Sequence, residues 1–287
     1  MSGKHIDEVS GVETTGHEWD GIRELNNPLP RWWLWTFYLT IIWAIGYMIA
    51  YPAIPLSNGA TPGLLGYSSR ADVVAELADA KAAQGELLQK IAATPVEEIA
   101  SDQELLQFAI AGGASAFKVN CAQCHGSGAA GSAGYPNLND DDWLWGGTID
   151  QIYLTIAHGI RYNADGDTRV SEMPAFADML EPEQVNQVAA YVVSLSGAPS
   201  DPALAEPGQV VFTENCAACH GENAEGLIDF GAPRLSDGIG LKGSTEAEIA
   251  AQIRNPKHGV MPAWLGRLGE PTIKQLAVYV HTLGGGQ

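Results

Sequence analysis

The stretch Gly113–Gly126, GASAFKVNCAQCHG, returns at Gly208–Gly221 as GQVVFTENCAACHG, with Gly, Phe, Asn, Cys, Ala, Cys, His and Gly all kept at an offset of 95. A repeat of that length organises the chain around two equivalent units. The match continues outward. Pro136 and Leu138 answer Pro233 and Leu235, and Thr148, Ile152 and Ile156 answer Thr245, Ile249 and Ile253. Met173-Pro174-Ala175-Phe176 answers Met261-Pro262-Ala263-Trp264, and Gln187, Ala189, Tyr191, Val192 and Leu195 answer Gln275, Ala277, Tyr279, Val280 and Leu283, now at an offset of 88. The first copy is seven residues longer between its histidine and its methionine, and the Asn-, Asp- and Gly-rich run Arg161–Arg169 is the expected place of the insertion. Gly197–Pro207, rich in Pro, Ala and Ser, reads as the linker between copies.

Cys-x-x-Cys-His is the attachment sequence of c-type haem. Two thiols three positions apart reach the two vinyl groups of one porphyrin, and the adjacent histidine lies over the iron. Cys121 with Cys124 and Cys216 with Cys219 use all four cysteines, so the sequence implies two covalently bound haem c groups, with His125 and His220 as proximal ligands. The competing readings are a dithiol redox pair, which needs neither the histidine nor a second copy, and a four-cysteine zinc knuckle, which a 91-residue gap between the pairs disfavours.

A sixth ligand must come from elsewhere. Met173 and Met261 begin the repeated Met-Pro-Ala element, and a thioether raises the reduction potential, as electron transfer at the oxidising end of a chain requires. Met179 has no counterpart and reads as core filler. His158 and His258 are the alternative ligands; both precede Gly, but they stand 15 and 3 residues from the neighbouring methionines. With both axial positions filled, no open site remains for oxygen or peroxide. Phe117, Phe212, Trp264, Tyr191 and Tyr279 read either as packing round the porphyrins or as ordinary core, and Arg161 and Arg254 either as propionate partners or as surface cations.

Between Arg31 and Arg70 there are 38 positions without Asp, Glu, Lys, Arg or His. Its centre, Trp32–Tyr51, is WWLWTFYLTIIWAIGYMIAY; as a helix it spans about 30 Å, the thickness of bilayer hydrocarbon. Trp32, Trp33 and Trp35 at one end and Tyr47 and Tyr51 at the other suit the two interfaces. Pro52 and Pro55 then stop the helix. A cleavable signal fits badly, because 31 largely polar residues precede the stretch. Arg23 and Arg31 favour an inside N-terminus. Haem c attachment on the far side of an energy-transducing membrane agrees with that orientation. Residues 70–91 and 101–110 have helical composition, the second opening on a Ser-Asp-Gln-Glu capping pattern, and both read as connectors.

The 287 residues carry 15 Lys+Arg against 34 Asp+Glu, a net charge of −19, which excludes nucleic acid as a partner for want of a basic patch. Of that charge, −16 falls after residue 69, on the expected haem-bearing side. Such a field suits steering of a basic cytochrome at a rate that falls with salt.

Asp20–Trp33, DGIRELNNPLPRWW, followed by one span ending in Tyr51-Pro52, resembles subunit III of cbb3-type cytochrome c oxidases, a membrane-anchored dihaem cytochrome c. Asn120–Thr148, His158-Gly-Ile-Arg161 and Ser171–Phe176 agree, and the resemblance covers nearly the whole chain from Asp20 on. It implies an all-α chain: one N-terminal transmembrane helix followed by two tandem class I cytochrome c domains. The expected segments are a cytoplasmic stretch over 1–31, an anchor over 32–54, a helical linker over 55–107, and haem domains over 108–198 and 204–287. The resemblance further implies a non-catalytic subunit of the bacterial inner membrane, with its haem domains periplasmic. It would take electrons from small c-type cytochromes and pass them towards the haem-copper catalytic subunit, through a monohaem cytochrome c subunit. Its implied axial pairs follow sequence order, His125 with Met173 and His220 with Met261. A free-standing membrane cytochrome and a dihaem peroxidase are the alternatives.

Overall fold

The computed structural model describes residues 5–199 and 201–286; residues 1–4 of the N-terminal stretch, Ser200 of the linker and the final Gln287 lie outside the described residues. The chain divides into two compact units after Ala82.

The first unit opens on an antiparallel hairpin of β1 (Thr14–Trp19) and β2 (Ile22–Leu25). Asp20 and Gly21 both take positive φ at its turn, the backbone an Asp-Gly pair favours. These strands depart from the all-helical expectation, and that dipeptide was their signal. Helix α1 (Arg31–Ala50) follows, with no residue buried. It is long and apolar enough to cross a membrane. Its two threonines return their hydroxyls to the backbone, Thr36 to the Trp32 carbonyl (3.0 Å) and Thr40 to that of Phe37 (2.7 Å), which removes unpaired donors from an apolar surface. The helix ends four residues before the expected limit of the anchor because Tyr51 precedes Pro52 and is extended, at φ −115° and ψ 161°. The chain then turns back through the short pair β3 (Pro55–Leu56) and β4 (Gly59–Ala60). Leu64 and Leu65 donate to the Ile49 and Ala50 carbonyls, satisfying the end of α1.

Helix α2 (Ser69–Ala93) contains the division between the units. The second unit continues through a 3₁₀ turn (Val96–Ser101), α3 (Gln103–Asn120) and the single turn α4 (Ala122–His125). Then come α5 (Ile149–His158), α6 (Pro182–Ser194), α7 (Ala205–Asn215) and α8 (Ala217–His220). The chain finishes with α9 (Glu246–Arg254), α10 (Leu265–Leu268) and α11 (Glu270–His281). The cap of α3 is the Asp102 carboxylate, which accepts from Glu104 and Leu105, and not Ser101, which closes the preceding turn. Thr245 and Glu248 cap α9 reciprocally, and Gln151 accepts from the Thr148 amide at the start of α5.

Sequence repeat and packing unit do not coincide. One core gathers Phe117 of α3 and Ile152 and Ile156 of α5 with Ile273, Leu276 and Val280 of α11. The other gathers Val185, Val188 and Val192 of α6 with Phe212 of α7 and Ile253 of α9. Each core therefore takes the haem-motif helix of one repeat and the last helix of the other. The reason is steric as well as apolar. A Cβ at Gly113 would overlap the Gln275 carbonyl and Tyr279, and one at Gly208 would overlap the Gln187 carbonyl and Tyr191. Only glycine lets the helices cross that closely. The connector also belongs to the first core: Ile91 and Ile99 are fully buried there, and the buried Lys274 ammonium donates to the carbonyls of Ile91, Ala92 and Thr94 where α2 ends.

Candidate functional site

Helix α3 delivers Cys121 at its C-terminal cap, whose amide donates to the Phe117 carbonyl, and α4 then turns Cys124 and His125 onto the same short loop. Helix α7 does the same for Cys216, Cys219 and His220. In both, the histidine Nδ1 lies 3.1 Å from a proline carbonyl eleven or thirteen residues on, Pro136 or Pro233. That contact places the ring proton on Nδ1 and leaves Nε2 as a lone-pair donor. Burial pushes both imidazoles below their ordinary pKa, which keeps them neutral and able to ligate.

The cysteines are unpaired thiols. Burial pushes Cys121 and Cys216 up to about 11, so at neutral pH they are protonated, the opposite of the low-pKa thiolate that a dithiol redox centre uses. Cys121 packs on the first core and Cys216 on the second, so the two pairs do not close a single zinc knuckle. Two thiols one turn apart, a neutral imidazole with Nε2 unengaged and an apolar wall headed by Phe117 or Phe212 fit covalent haem in each lobe.

The methionines follow the cores and not the repeats. Met261 packs with Cys121, Ala122 and Leu138 against the first core, and Met173 packs with Cys216, Ala217 and Leu235 against the second. The sequence-order pairs, His125 with Met173 and His220 with Met261, are not the ones the packing brings together. The chain crossing responsible is ordered. Ile160 and Met261 exchange both backbone hydrogen bonds at 2.9 and 3.0 Å, Trp264 donates to Ile156 and Ala157, and Phe176 donates to Ile253.

Other candidates fall elsewhere. His158 is held by Asp165 (3.2 Å) inside the inserted loop. Met179 is 57% exposed, so it does not fill a core. Arg161 donates to the Gly259 carbonyl from Nε and to that of Ser171 from Nη1, both at 2.7 Å; Arg254 donates to Asn186. Phe117 and Phe212 are core residues, with Tyr279 and Tyr191 against them. The acidic residue Asp142, close to Asp237 and to Arg234 (3.6 Å), has its carboxyl pushed up to about 6 by burial and by a hydrogen bond with Asp237. That pair joins loops of different repeats, and nothing in the repeat pattern marks it.

Residues 11–58 match the family described as the N-terminal domain of cytochrome oxidase-cbb3, FixP. Residues 110–196 match cytochrome c, and residues 203–280 match cytochrome C oxidase, cbb3-type, subunit III. The cbb3-type cytochrome c oxidase subunit FixP of Rhizobium meliloti (strain 1021) is 66% identical over 284 residues, covering 99% of this chain and 98% of that protein. The chain belongs to the FixP/CcoP family of cbb3-type cytochrome c oxidase subunits. Subunit CcoP of Cereibacter sphaeroides is 54% identical over 276 residues, with 96% of this chain and 95% of that one covered. Subunit CcoP of Azospirillum brasilense is 54% identical over the full length of both chains. As a FixP/CcoP chain with two cytochrome c domains after an apolar helix, it is an electron-transfer subunit of a cbb3 oxidase.

Proposed function

We propose that this FixP/CcoP chain carries two haem c groups as a non-catalytic relay, held by crossed ligand sets. His125 pairs with Met261, and His220 with Met173. The observation that carries this reading is that Met261 packs on the same core as Cys121, and Met173 on the same core as Cys216. Haem c, when bound, supplies a reversible one-electron couple. The chain's own groups do the rest: the cysteines fix the porphyrin covalently, Pro136 and Pro233 aim the imidazoles, and the thioethers favour the reduced iron. Phe117 and Phe212 exclude water, which further raises the potential. Held between these histidines and methionines, the haem groups would offer oxygen and peroxide nowhere to bind.

Helix α1 anchors the chain in the bacterial inner membrane with its N-terminus cytoplasmic and both haem lobes periplasmic. The charge of −16 after residue 69 suits a small basic c-type cytochrome as donor. The acceptor is the haem-copper catalytic subunit, reached through a monohaem cytochrome c subunit. Isolation of the native membrane complex by a tag on this chain, with optical spectra for b-type haem, tests the assignment. Co-purifying b-type haem and donor oxidation that slows as salt rises are expected. An isolable chain without b-type partners points to a free-standing cytochrome, and a haem that binds cyanide or peroxide points to a peroxidase; either overturns the proposal.

A further inference from the structure

We infer that Arg161 is a positioning residue shared by both methionine ligands. The two carbonyls its guanidinium holds belong to Gly259 and Ser171, and each lies two residues before a methionine, Met261 and Met173. The two bonds are equal at 2.7 Å and come from adjacent nitrogens of one rigid fork. One side chain thus ties together the two segments that cross between the lobes.

The surrounding backbone is built to present that fork. Arg161 takes φ +52°, an unusual conformation for a residue with a Cβ, and its amide donates to the Arg169 carbonyl at 2.8 Å, which closes the inserted loop. Ile160, immediately before it, is paired in both directions with Met261. The His-Gly pair recurs as His158-Gly159-Ile160-Arg161 and His258-Gly259-Val260-Met261, leading to the arginine in the first repeat and to the methionine in the second. Met173 lies twelve residues beyond Arg161, so Arg161 stays at the crossing while Met173 is carried on to the other lobe. The second repeat has no equivalent arginine. The clamp is single, and its loss loosens both methionine segments together.

This inference rests on Met173 and Met261 being the axial ligands. Imidazole, which competes with a thioether for ferric haem, is the probe, with each haem followed by its spectrum and midpoint in the full holo-protein. Arg161→Gln removes charge-assisted bonds to both carbonyls, so imidazole affinity rises about tenfold at both haems, and both midpoints fall. Arg161→Lys keeps the charge without the fork and gives the same two-site change at smaller amplitude; it carries the test if the glutamine variant does not mature. Arg23→Gln, which breaks only the exposed pair with Glu18 in the β1–β2 hairpin, changes neither haem. A change at one haem only, or at none, in both Arg161 variants overturns the inference. Met173→Ala and Met261→Ala separate the two assumptions: each raises imidazole affinity at one haem, and if neither does, the ligand assignment has failed and not the clamp.

Discussion

The ring of Tyr279 packs against that of Phe117 with centroids 5.5 Å apart, although the two residues belong to different sequence repeats. Tyr191 and Phe212 reproduce the contact at 5.3 Å in the other lobe. Both pairs sit where a glycine lets helices cross, and together they define the exchange that carries each methionine away from the cysteines of its own repeat.

Gly113→Val therefore strikes the crossing of α3 with α11. A branched side chain there meets the Gln275 backbone and Tyr279 and forces the helices apart, at a cost of roughly 1–3 kcal/mol or more. Gly128→Ala, with nothing within 4 Å of the added carbon, changes stability by no more than about 0.5 kcal/mol. Denaturant unfolding followed by haem absorbance measures the difference. Equal stability of the two variants contradicts the crossing.

Lys274→Met removes the ammonium that ends α2. Three carbonyls, those of Ile91, Ala92 and Thr94, lose a donor in a site where the lysine is only 7% exposed, and a buried unsatisfied acceptor costs about 1–3 kcal/mol. The end of α2 then opens more often, so limited proteolysis near Thr94 speeds up. Unchanged cleavage there would show that the lysine bears nothing.

The Asp142–Asp237 pair gives a pH dependence of definite sign. The carboxyl of Asp142 is raised from an ordinary 3.8 to about 6 in the folded chain, so between those values the native state binds more protons than the unfolded one. The contribution of Asp142 to stability falls as pH rises through this window. Asp142→Asn cannot ionise; it flattens the profile and makes the protein more stable at pH 7 than the parent. Thermal melts of the parent and of Asp142→Asn from pH 4 to 7 test this, and a stability difference between them that does not grow with pH contradicts it.

Much of this was legible in residues. Cysteine spacing announced the two cytochrome c domains, the charge-free run after Arg31 announced α1, and the matched Gly, Gln and Tyr positions marked the repeat without revealing the helix crossings they make. What the repeat could not specify was which copy supplies which partner, because Gln187 and Gln275, or Tyr191 and Tyr279, are the same residues in the same local setting. Gly113 fits either tyrosine. The choice is made by tertiary links such as Ile160 with Met261, which no spacing encodes. The burial of Ile91 and Ile99 was hidden for a similar reason, since a connector and a core-facing helix end share one composition.

The crossed assignment itself is tested most directly in a chain that keeps only the haem at Cys121 and Cys124, with Cys216 and Cys219 both changed to Ser. In that background Met261→His should lower the midpoint of the remaining haem by on the order of 0.1 V, within the roughly 0.8 V that axial ligands span, while Met173→His leaves it unchanged. The reverse result, a fall with Met173→His and none with Met261→His, would contradict the account.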